Sequence, residues 1–387
     1  MESLVNPSVW QGRRVLVTGH TGFKGSWLAL WLHRMGAQVT GLALAPETPS
    51  LFSQARIDEL VDHRITDIRE AGAVEAVVAD AQPEVVFHLA AQPLVRLSYA
   101  QPIETFATNV QGTVHVLDAC RRVTGLKAVI CVTSDKCYEN REWVWPYRES
   151  DPMGGYDPYS ASKGAAELVI ASYRRSFFSG DGALLASVRA GNVIGGGDWA
   201  TDRLIPDIIR AILTGEHVEI RSPDAVRPWQ HVLEALGGYL GIAERMVAGD
   251  ATMAEGWNFG PADDDTRSVG WILQRMLETW GAGIWKRSTA PQPHEAHLLR
   301  LDCSKARRAL GWRPIWGLEM ALDRIVEWHR SVDAGEDARA VSQAQLESYI
   351  TDLYNTYTDD RHLWKPAKKL HRRRGLGLNS AKQNFST

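Results

Sequence analysis

Two side chains that can share a proton lie four residues apart in this chain, Tyr159 and Lys163. They begin a stretch of helical periodicity that runs to about Phe178, so both side chains are expected on one helix face, a turn apart. A cation beside a phenol stabilises the phenolate. A free phenol has a pKa of about 10, so a base that works near neutrality needs about 4 kcal/mol of such stabilisation. We therefore predict that Tyr159 is a general base supported by Lys163.

A polar triplet follows an apolar run in the middle of the chain. Ala128–Val132 is apolar and rich in β-branched residues, which is typical of a strand buried on both faces of a parallel sheet. Ser134, Asp135 and Lys136 come directly after it. Ligands of open parallel sheets bind beyond the carboxyl ends of the strands, so the triplet is expected to meet a substrate. A solvated surface turn is the alternative interpretation.

Near the N-terminus, a strand, a glycine loop and a helix follow one another. Arg14–Thr18 is predicted as a buried strand and residues 26–35 as a helix. This order suits a dinucleotide site, because the glycines permit a tight turn and a close approach of the backbone to a diphosphate at the helix N-terminus. The loop residues predicted to bind the cofactor are Gly19, His20, Thr21, Gly22, Phe23, Lys24 and Gly25.

The choice of cofactor is less closely defined by the sequence. An acid at the end of the predicted strand over residues 38–44 would hydrogen-bond an adenosine ribose and favour NAD, but this strand ends without one, and His20 and Lys24 lie in the preceding loop. NAD is the expected cofactor, and NADP stays open as the alternative. Leu89, Ala90 and Ala91 follow another predicted strand, where small residues admit a cofactor that passes closely. His88 on that strand is interpreted as a hydrogen-bonded core histidine.

The glycine pattern G-x-x-G-x-x-G with Ser134, Tyr159 and Lys163 resembles the extended, nucleotide-sugar-modifying branch of the short-chain dehydrogenase/reductase superfamily. In that branch, epimerases carry small or apolar residues after the active-site hydroxyl, whereas 4,6-dehydratases usually carry Asp-Glu. Here the pair is Asp135-Lys136. The motifs over residues 18–28, 133–145, 189–199 and 227–232 are most similar to the CDP-glucose 4,6-dehydratase family, whose pattern has Ser-Asp-Lys. The resemblance extends from about residue 10 to about residue 330.

This resemblance implies a reaction in deoxysugar biosynthesis, including that of lipopolysaccharide O-antigens. Tyr159 would take the O4 proton while the C4 hydride moves to NAD, and Ser134 would hydrogen-bond the oxygen. Lys136 would remove the C5 proton, Asp135 would protonate the departing C6 hydroxyl, and the hydride would return to C6. The alternative role of Lys136 is a cation that stabilises the enolate.

The resemblance also implies roles for residues elsewhere in the chain. Asp67, beside Ile68, would contact the adenine amine, although a cap of the next helix is an equal alternative. Asn109 would help to hold the active-site lysine through water. The residues expected to bind the substrate, of which Asn192 and Arg227 would hold the diphosphate, are Gln92, Asn192, Arg203, Arg221 and Arg227.

These elements predict an α/β fold with a Rossmann-type parallel sheet, helices on both faces and a smaller C-terminal substrate-binding lobe. We assign residues 1–180 to the NAD-binding domain, with part of 181–260 interleaved, and residues 181–335 mainly to the nucleotide-sugar lobe. A helical segment is expected over residues 336–364, and a basic, disordered tail over residues 365–387.

Composition excludes several classes of partner. The net charge of -3 gives no reason to expect a nucleic acid, and no apolar run is long enough for a membrane span, so a cytoplasmic protein is expected. The four cysteines lack metal-ligand spacing and are interpreted as reduced structural thiols, with no metal site. The expected assembly is a homodimer or homotetramer, with the helices that contain Asn109 and Tyr159 paired across a two-fold axis. A nucleotide-sugar epimerase or reductase, and a non-catalytic dinucleotide-binding protein, are the alternative functions.

Overall fold

The structure, a computed structural model, describes residues 4–180, 182–262, 265–288 and 298–359. The predicted basic tail over residues 365–387 and the end of the predicted helical segment lie outside the described residues. The strands are β1 (Arg14–Thr18), β2 (Gln38–Ala43), β3 (Asp62–Ile65), β4 (Val85–His88), β5 (Ala128–Val132), β6 (Leu184–Ala190), β7 (Asn192–Ile194), β8 (His217–Ile220), β9 (Val226–Arg227), β10 (Trp229–His231), β11 (Gly256–Phe259), β12 (Arg267–Ser268) and β13 (Ile284–Arg287). The helices are α1 (Phe23–Arg34), α2 (Leu51–Gln54), α3 (Ala71–Ala81), α4 (Val95–Ala100), α5 (Pro102–Phe106), α6 (Gly112–Cys120), α7 (Pro158–Ser176), α8 (Leu204–Thr214), α9 (Val232–Val247), α10 (Val269–Trp280), α11 (Leu318–Asp333) and α12 (Ala338–Asp359).

A parallel sheet forms the centre of the described part of the chain. Its seven strands have the order β11-β6-β5-β4-β1-β2-β3. The chain starts at β1 in the interior of the sheet, builds outwards to β3, and then crosses over to β4 on the other side. The predicted Rossmann-type sheet is therefore confirmed.

Alternate residues of the central strands enter two different cores. Ala128 and Ile130 of β5 belong to the core that includes α1 and α9, whereas Val129 and Cys131 belong to the core under α3, α6 and α7. Because both faces of the sheet are covered, its strands are continuously apolar instead of alternating with polar residues. This arrangement explains why the sequence of β5 has no polar position until the strand ends.

The strand ends meet at one edge of the sheet, and this determines where the site lies. Thr18 pairs with His88, and Val132 with Val188, so the glycine loop after β1 and the polar triplet after β5 leave the same edge. His88 accepts or donates hydrogen bonds with the hydroxyls of Thr18 at 2.7 Å and Thr113 at 3.1 Å, as expected for a core histidine.

A smaller lobe is built on short sheets beside this edge. The pairs β7/β10, β9/β12 and β8/β13 are each two-stranded, and a third core packs α8, α10 and α11 against them. The lobe is interleaved with the main sheet, because β11 returns from it to pair with β6.

The C-terminal helix α12 packs back onto the dinucleotide half of the molecule. Leu346, Tyr349 and Leu353 are buried, and Arg339 donates to the backbone carbonyl of Ala55 at 2.7 Å. The four cysteines are free and buried. Within the described ranges, no helix combines the length and apolar character needed to cross a bilayer.

Candidate active site

The polar triplet forms a short helical turn at the end of β5. Ser134 is the N-cap of a 3-10 turn over Asp135–Cys137, and its hydroxyl accepts the Lys136 amide at 3.2 Å. The same hydroxyl donates to Asp135 Oδ1 at 3.0 Å. Ser134 and Asp135 are buried, whereas Lys136 is half-buried, and all three line one cleft of about 930 Å³. The triplet is therefore placed in a cavity and is not a solvated surface turn.

The phenol and the ammonium predicted to work together lie on the first two turns of α7. Asp157 caps this helix by accepting the Ser160 amide at 2.9 Å, and Pro158 occupies its first position. Tyr159 and Lys163 are both buried, line the same cleft and lie one helical turn apart. The Ser134 hydroxyl also acts on the phenol of Tyr159, whose pKa it lowers, so the triplet and the helix influence one another.

Burial dominates the electrostatics of Tyr159. Burial raises the pKa of Tyr159 to about 12, and the hydrogen bond from Ser134 opposes this shift only in part. Burial also lowers the pKa of Lys163 to about 8. Removing both groups from water disfavours both charges, so the expected phenolate is not stabilised by the chain alone. A further positive charge in the cleft is required to lower the pKa of the phenol towards 7.

Asp135 is the other group whose protonation is changed by its surroundings. Burial raises the pKa of its carboxyl, although Lys136, the Ser134 hydroxyl and Arg227 act in the opposite direction. Its Oδ2 atom is buried and has no hydrogen-bond partner among the described residues. A protonated carboxyl at this position can therefore donate from Oδ2 to a ligand in the cleft.

The glycine loop forms the other end of the cleft. Gly19 has a φ of +75°, and a Cβ there would lie 2.7 Å from the backbone nitrogen of Ala90, so only glycine allows the loop to pass over the end of β4. A Cβ on Gly25 would lie 2.1 Å from the Gly19 carbonyl oxygen, which explains how closely α1 packs on the loop. Gly22 is the N-cap of α1 and has no side chain to block the helix N-terminus.

The charges along this cleft suit an anionic dinucleotide. Burial lowers the pKa of Lys24 to about 7, and the positive charges of Arg203 and Lys163 add to this effect. A diphosphate at the open N-terminus of α1 would stabilise these three cations, which repel one another. The residues present therefore fit the cofactor that the fold implies.

Most residues predicted to bind the cofactor line this cleft. Those placed in its wall are Gly19, Thr21, Gly22, Phe23, Lys24, Gly25, Asp67, Ile68, Leu89, Ala90, Ala91, Tyr159 and Lys163. Asp67 does not cap a helix, since α3 begins at Ala71 with Glu70 as its N-cap. Its carboxylate pairs with Arg69 at 2.6 Å at the cleft wall.

Two predicted cofactor residues have side chains that turn away from the cleft. The imidazole of His20 is buried, and its Nε2 atom lies 2.7 Å from Nδ1 of His63, because Gly41 leaves room for the ring beneath β2. Asn109 bonds the backbone of Gln92 through both of its amide atoms and donates to Ser162 at 2.9 Å. The side chain of His20 therefore faces His63 instead of the cleft, and Asn109 supports α7 through Ser162. The contribution of these two residues to the cofactor site stays a prediction.

The predicted substrate residues lie along the lobe side of the cleft. Arg203 donates to both oxygens of the buried Asp198, at 3.0 and 3.2 Å, while Arg227 is buried at the end of β9 and donates to the Val226 carbonyl at 3.0 Å. Asn192 and Arg221 also line the wall. Gln92 reaches it too, but its amide is held by Thr105 at 2.9 Å and by the backbone of Leu94.

Sequence reasoning missed three charged residues that support the site. Asp198 lines the cleft and holds Arg203. The buried ion pair between Glu167 and Arg189 bonds Thr133 and Tyr138, on either side of the short helical turn. Glu167 carried a signal, because it stands four residues after Lys163 on the same helix face. Asp198 and Arg189 carried no comparable signal.

Comparison with known proteins agrees with this geometry. The family model described as GDP-mannose 4,6 dehydratase matches residues 16–325. The chain belongs to this family. It is 55% identical over 355 residues to the CDP-glucose 4,6-dehydratase of Salmonella typhimurium, covering 90% of this chain and 99% of that protein. The predicted resemblance to the extended short-chain dehydrogenase/reductases, and to CDP-glucose 4,6-dehydratases among them, is confirmed.

Solved structures of similar fold extend the comparison. MoeE5 in complex with UDP-glucose and NAD is 26% identical, with a TM-score of 0.69 over 82% of this chain and 99% of its own. DesIV, a dTDP-glucose 4,6-dehydratase from Streptomyces venezuelae, has a TM-score of 0.71 over 84% of this chain and 99% of its own. At 24% identity, DesIV supports the fold alone.

Proposed function

We propose that this protein is an NAD-dependent hydro-lyase that converts CDP-glucose to CDP-4-dehydro-6-deoxy-glucose in the cytoplasm. The observation that carries the proposal is the meeting of Ser134, Asp135 and Lys136 with Tyr159 and Lys163 in one cleft. A sugar oxidation needs only the hydroxyl and phenol, whereas an elimination also needs an acid and a base near C5 and C6. The Salmonella relative, at 55% identity, supports CDP-glucose as the nucleotide sugar.

The glycine loop and the adjoining strand ends would hold NAD. Gly22 and the N-terminus of α1 would bind the diphosphate, Lys24 would neutralise part of its charge, and Asp67 would lie at the adenine. The chemistry that NAD supplies when bound is removal of a hydride from C4 and its return to C6. The solved complex of MoeE5 with UDP-glucose and NAD supports this choice over NADP.

Tyr159 and Ser134 would act on the sugar O4. The phenol takes the O4 proton, and the Ser134 hydroxyl, which donates to Asp135 in this structure, turns to donate to the developing oxyanion. Burial raises the pKa of Tyr159 to about 12, so the positive charges of Lys163 and of the oxidised nicotinamide together must favour the phenolate. Tyr159 would therefore be activated as a base only when NAD is bound.

Asp135 and Lys136 would carry the elimination. Burial raises the pKa of Asp135, which favours the protonated carboxyl that a departing C6 hydroxyl requires. Lys136 would remove the C5 proton in its neutral form. A proton on Asp135 and a neutral Lys136 contain the same number of protons as an ion pair, so the pair can change form without net uptake.

The lobe side of the cleft would bind the nucleotide diphosphate. Arg227 and Arg203 present guanidinium forks that match phosphate oxygens, with Asn192 and Arg221 beside them. Asp198 restrains Arg203 before the substrate arrives, which reduces the entropy lost on binding.

The exposed faces of α7 and of α5 support the predicted assembly, because α5 continues directly into the π-helical turn Ala107–Gln111 that contains Asn109. Ile103 is 79% exposed and Leu168 is 63% exposed, and Phe106 adds a third large apolar side chain at 40%. Neighbouring apolar side chains at such exposure suit a contact between copies of this chain. A homodimer through these helices is therefore part of the proposal, and a homotetramer would pair two such dimers.

Incubation with CDP-glucose deuterated at C4 and catalytic NAD tests the reaction. Mass spectrometry and NMR should find loss of water with deuterium at C6, because the hydride returns within each turnover. Dehydration of UDP-glucose or dTDP-glucose instead would overturn the substrate but not the reaction. Turnover without loss of water would favour an epimerase or reductase.

A further inference from the structure

We infer that the buried Glu167–Arg189 pair is a positioning clamp that fixes both ends of the catalytic turn. This inference rests on the proposed function, since it concerns how Asp135 and Lys136 are held for elimination. The catalytic turn comprises residues 134–137, and Thr133 and Tyr138, which flank this turn, are the two anchor residues.

The first end of the turn is held by the carboxylate. Thr133 follows β5 directly, and its hydroxyl donates to Glu167 Oε1 at 2.5 Å. Its amide also donates to the Val188 carbonyl at 2.9 Å, which continues the pairing of β5 with β6. Thr133 is 7% exposed, so water does not compete for this hydroxyl.

The second end of the turn is held by the guanidinium. Arg189 Nη1 donates to the Tyr138 hydroxyl at 2.6 Å, and that hydroxyl donates in turn to Asn258 at 2.7 Å. The guanidinium also lies 5.1 Å from the centre of the Tyr138 ring. Tyr138 is 1% exposed, and its ring stacks on Tyr147, so both its polar and its apolar atoms are fixed.

One ion pair joins the two anchor residues. Arg189 Nε and Nη2 donate to the two oxygens of Glu167 at 2.9 and 2.8 Å, in a bidentate arrangement. The Ser187 hydroxyl donates to Oε2 at 2.8 Å. Burial alone would raise the pKa of Glu167, but the charge and hydrogen bonds of Arg189 hold it below its ordinary value. A charged, fully bonded pair has a single geometry, which suits a rigid support.

The clamp also fixes the turn relative to Tyr159 and Lys163. Glu167 lies on α7, one turn after Lys163 and two turns after Tyr159, whereas Arg189 lies on β6. The same two side chains therefore join the helix that carries the C4 chemistry to the turn that carries the elimination. Oxidation and elimination act on adjacent carbons of one sugar, so these two groups of residues must keep a constant separation.

Two conservative variants remove the anchors one at a time. Thr133→Val deletes the hydroxyl bonded to Glu167, and Tyr138→Phe deletes the hydroxyl bonded to Arg189. We expect each to lower kcat by about 10- to 100-fold with little change in KM, because a displacement on the order of 1 Å is enough for such a loss. Elimination should slow more than C4 oxidation, so reduced nicotinamide should accumulate during single turnovers.

Two matched controls separate the clamp from a general loss of packing. Ser342→Ala removes a buried hydroxyl that bonds the Ala338 carbonyl and the Trp328 indole, outside both the turn and the clamp. Tyr239→Phe removes a fully buried tyrosine hydroxyl that has no hydrogen-bond partner among the described residues. In both controls, the ratio between the rates of C4 oxidation and of elimination should equal that of the wild type.

Hydrogen exchange of a peptide that spans residues 133–138 gives a readout that does not depend on turnover. Both anchor variants should exchange faster there than the wild type and the controls. Equal exchange in all variants, or equal slowing of oxidation and elimination in the anchor variants, would overturn the inference. A wild-type protein that does not dehydrate CDP-glucose would instead overturn the proposed function, and the exchange result would still decide whether the clamp exists.

Discussion

Asp135 combines a buried carboxyl, a hydrogen bond from Ser134 and one oxygen without a described partner. This environment suits a group that must hold a proton until a substrate needs it. Lys136, the next residue, is half-buried and lies at the same wall. The proposed elimination therefore depends on two adjacent side chains, of which Asp135 is buried and Lys136 is half-buried.

Replacing Asp135 by Asn tests the proposed acid. We expect dehydration to fall by about 10²- to 10⁴-fold, because the departing hydroxyl loses its proton donor, while C4 oxidation continues. Rapid quenching with product analysis, together with the absorbance of reduced nicotinamide, would separate the two steps. An equal loss of both would show that Asp135 is needed for binding or oxidation.

The pH dependence of the wild type provides a second test of Asp135. The active form of the Asp135–Lys136 pair holds one proton, so the elimination rate should rise as the fully protonated pair loses its first proton, and burial shifts this rise upwards from the ordinary range of an aspartate. The Asn variant should lack this limb of the profile. A wild-type profile that falls with pH over the same range would contradict the assignment.

Lys136 can be tested by two substitutions with different chemistry. Lys136→Arg keeps a positive charge but cannot supply a neutral base, whereas Lys136→Met removes both properties. If Lys136 is the base, both variants should fail to exchange the C5 hydrogen with deuterated solvent, while C4 oxidation persists. Exchange that survives in the Arg variant would favour the electrostatic role, and oxidation blocked as completely as elimination in the Met variant would argue against both roles.

At the scale of elements, Glu234 joins three parts of the C-terminal half. This residue of α9 accepts the backbone amides of Ile315 and Trp316 at 3.0 and 2.7 Å and the Tyr349 hydroxyl of α12 at 3.0 Å. Burial raises the pKa of Glu234 to about 7, although these donors oppose the shift. The contacts that hold α12 in place therefore include an acid that titrates near neutrality.

The sign of this shift predicts a pH-dependent stability. The folded pKa lies above the ordinary value of 4.5, so the folded state binds the proton more tightly. Proton binding at Glu234 contributes roughly 3 kcal/mol to the free energy of unfolding. This contribution is fully present below pH 4.5 and is lost as pH rises through about 7. Urea unfolding of Glu234→Gln should show a weaker decline over this range than the wild type.

A second carboxylate provides the control for that experiment. Glu347 also lies on this side of the molecule, on α12, but is exposed beside Arg34. Glu347→Gln changes the net charge by the same amount and should keep the wild-type decline. Parallel pH profiles for the wild type and Glu234→Gln would show that the pKa of Glu234 is the same in the folded and unfolded states.

At the scale of the whole molecule, the exposed apolar side chains of α5 and α7 lie on the outer side of the helices that carry the site. A contact there would bury Ile103 and Leu168 while α7 keeps Tyr159 and Lys163 in the cleft. Assembly would then restrain the catalytic helix.

The double substitution Ile103→Lys and Leu168→Lys tests this contact. Buried lysines would face one another across a two-fold axis, so light scattering should find a lower mass than for the wild type. Ile284→Lys is the matched control, because Ile284 is 64% exposed on β13 in the smaller lobe. A wild-type mass equal to that of the monomer would remove the proposed contact.

The sequence by itself determined the parts of this protein that are local in the chain. A buried run followed by Ser134, Asp135 and Lys136, a glycine loop between β1 and α1, and a phenol four residues from an ammonium can each be recognised within about 20 residues. Strand ends of a parallel sheet share one edge, so the common cleft followed from these local patterns.

Tertiary structure alone decided which side chains reach the cleft and how they ionise. His20 faces His63, 43 residues away, and Asn109 bonds the backbone of Gln92, so neither orientation could be read from the loop or helix that carries it. The raised pKa of Tyr159 depends on burial by several segments, and the Glu167–Arg189 clamp joins residues 22 apart on different elements. Local spacing specifies position along an element, whereas burial and partners depend on how distant elements pack.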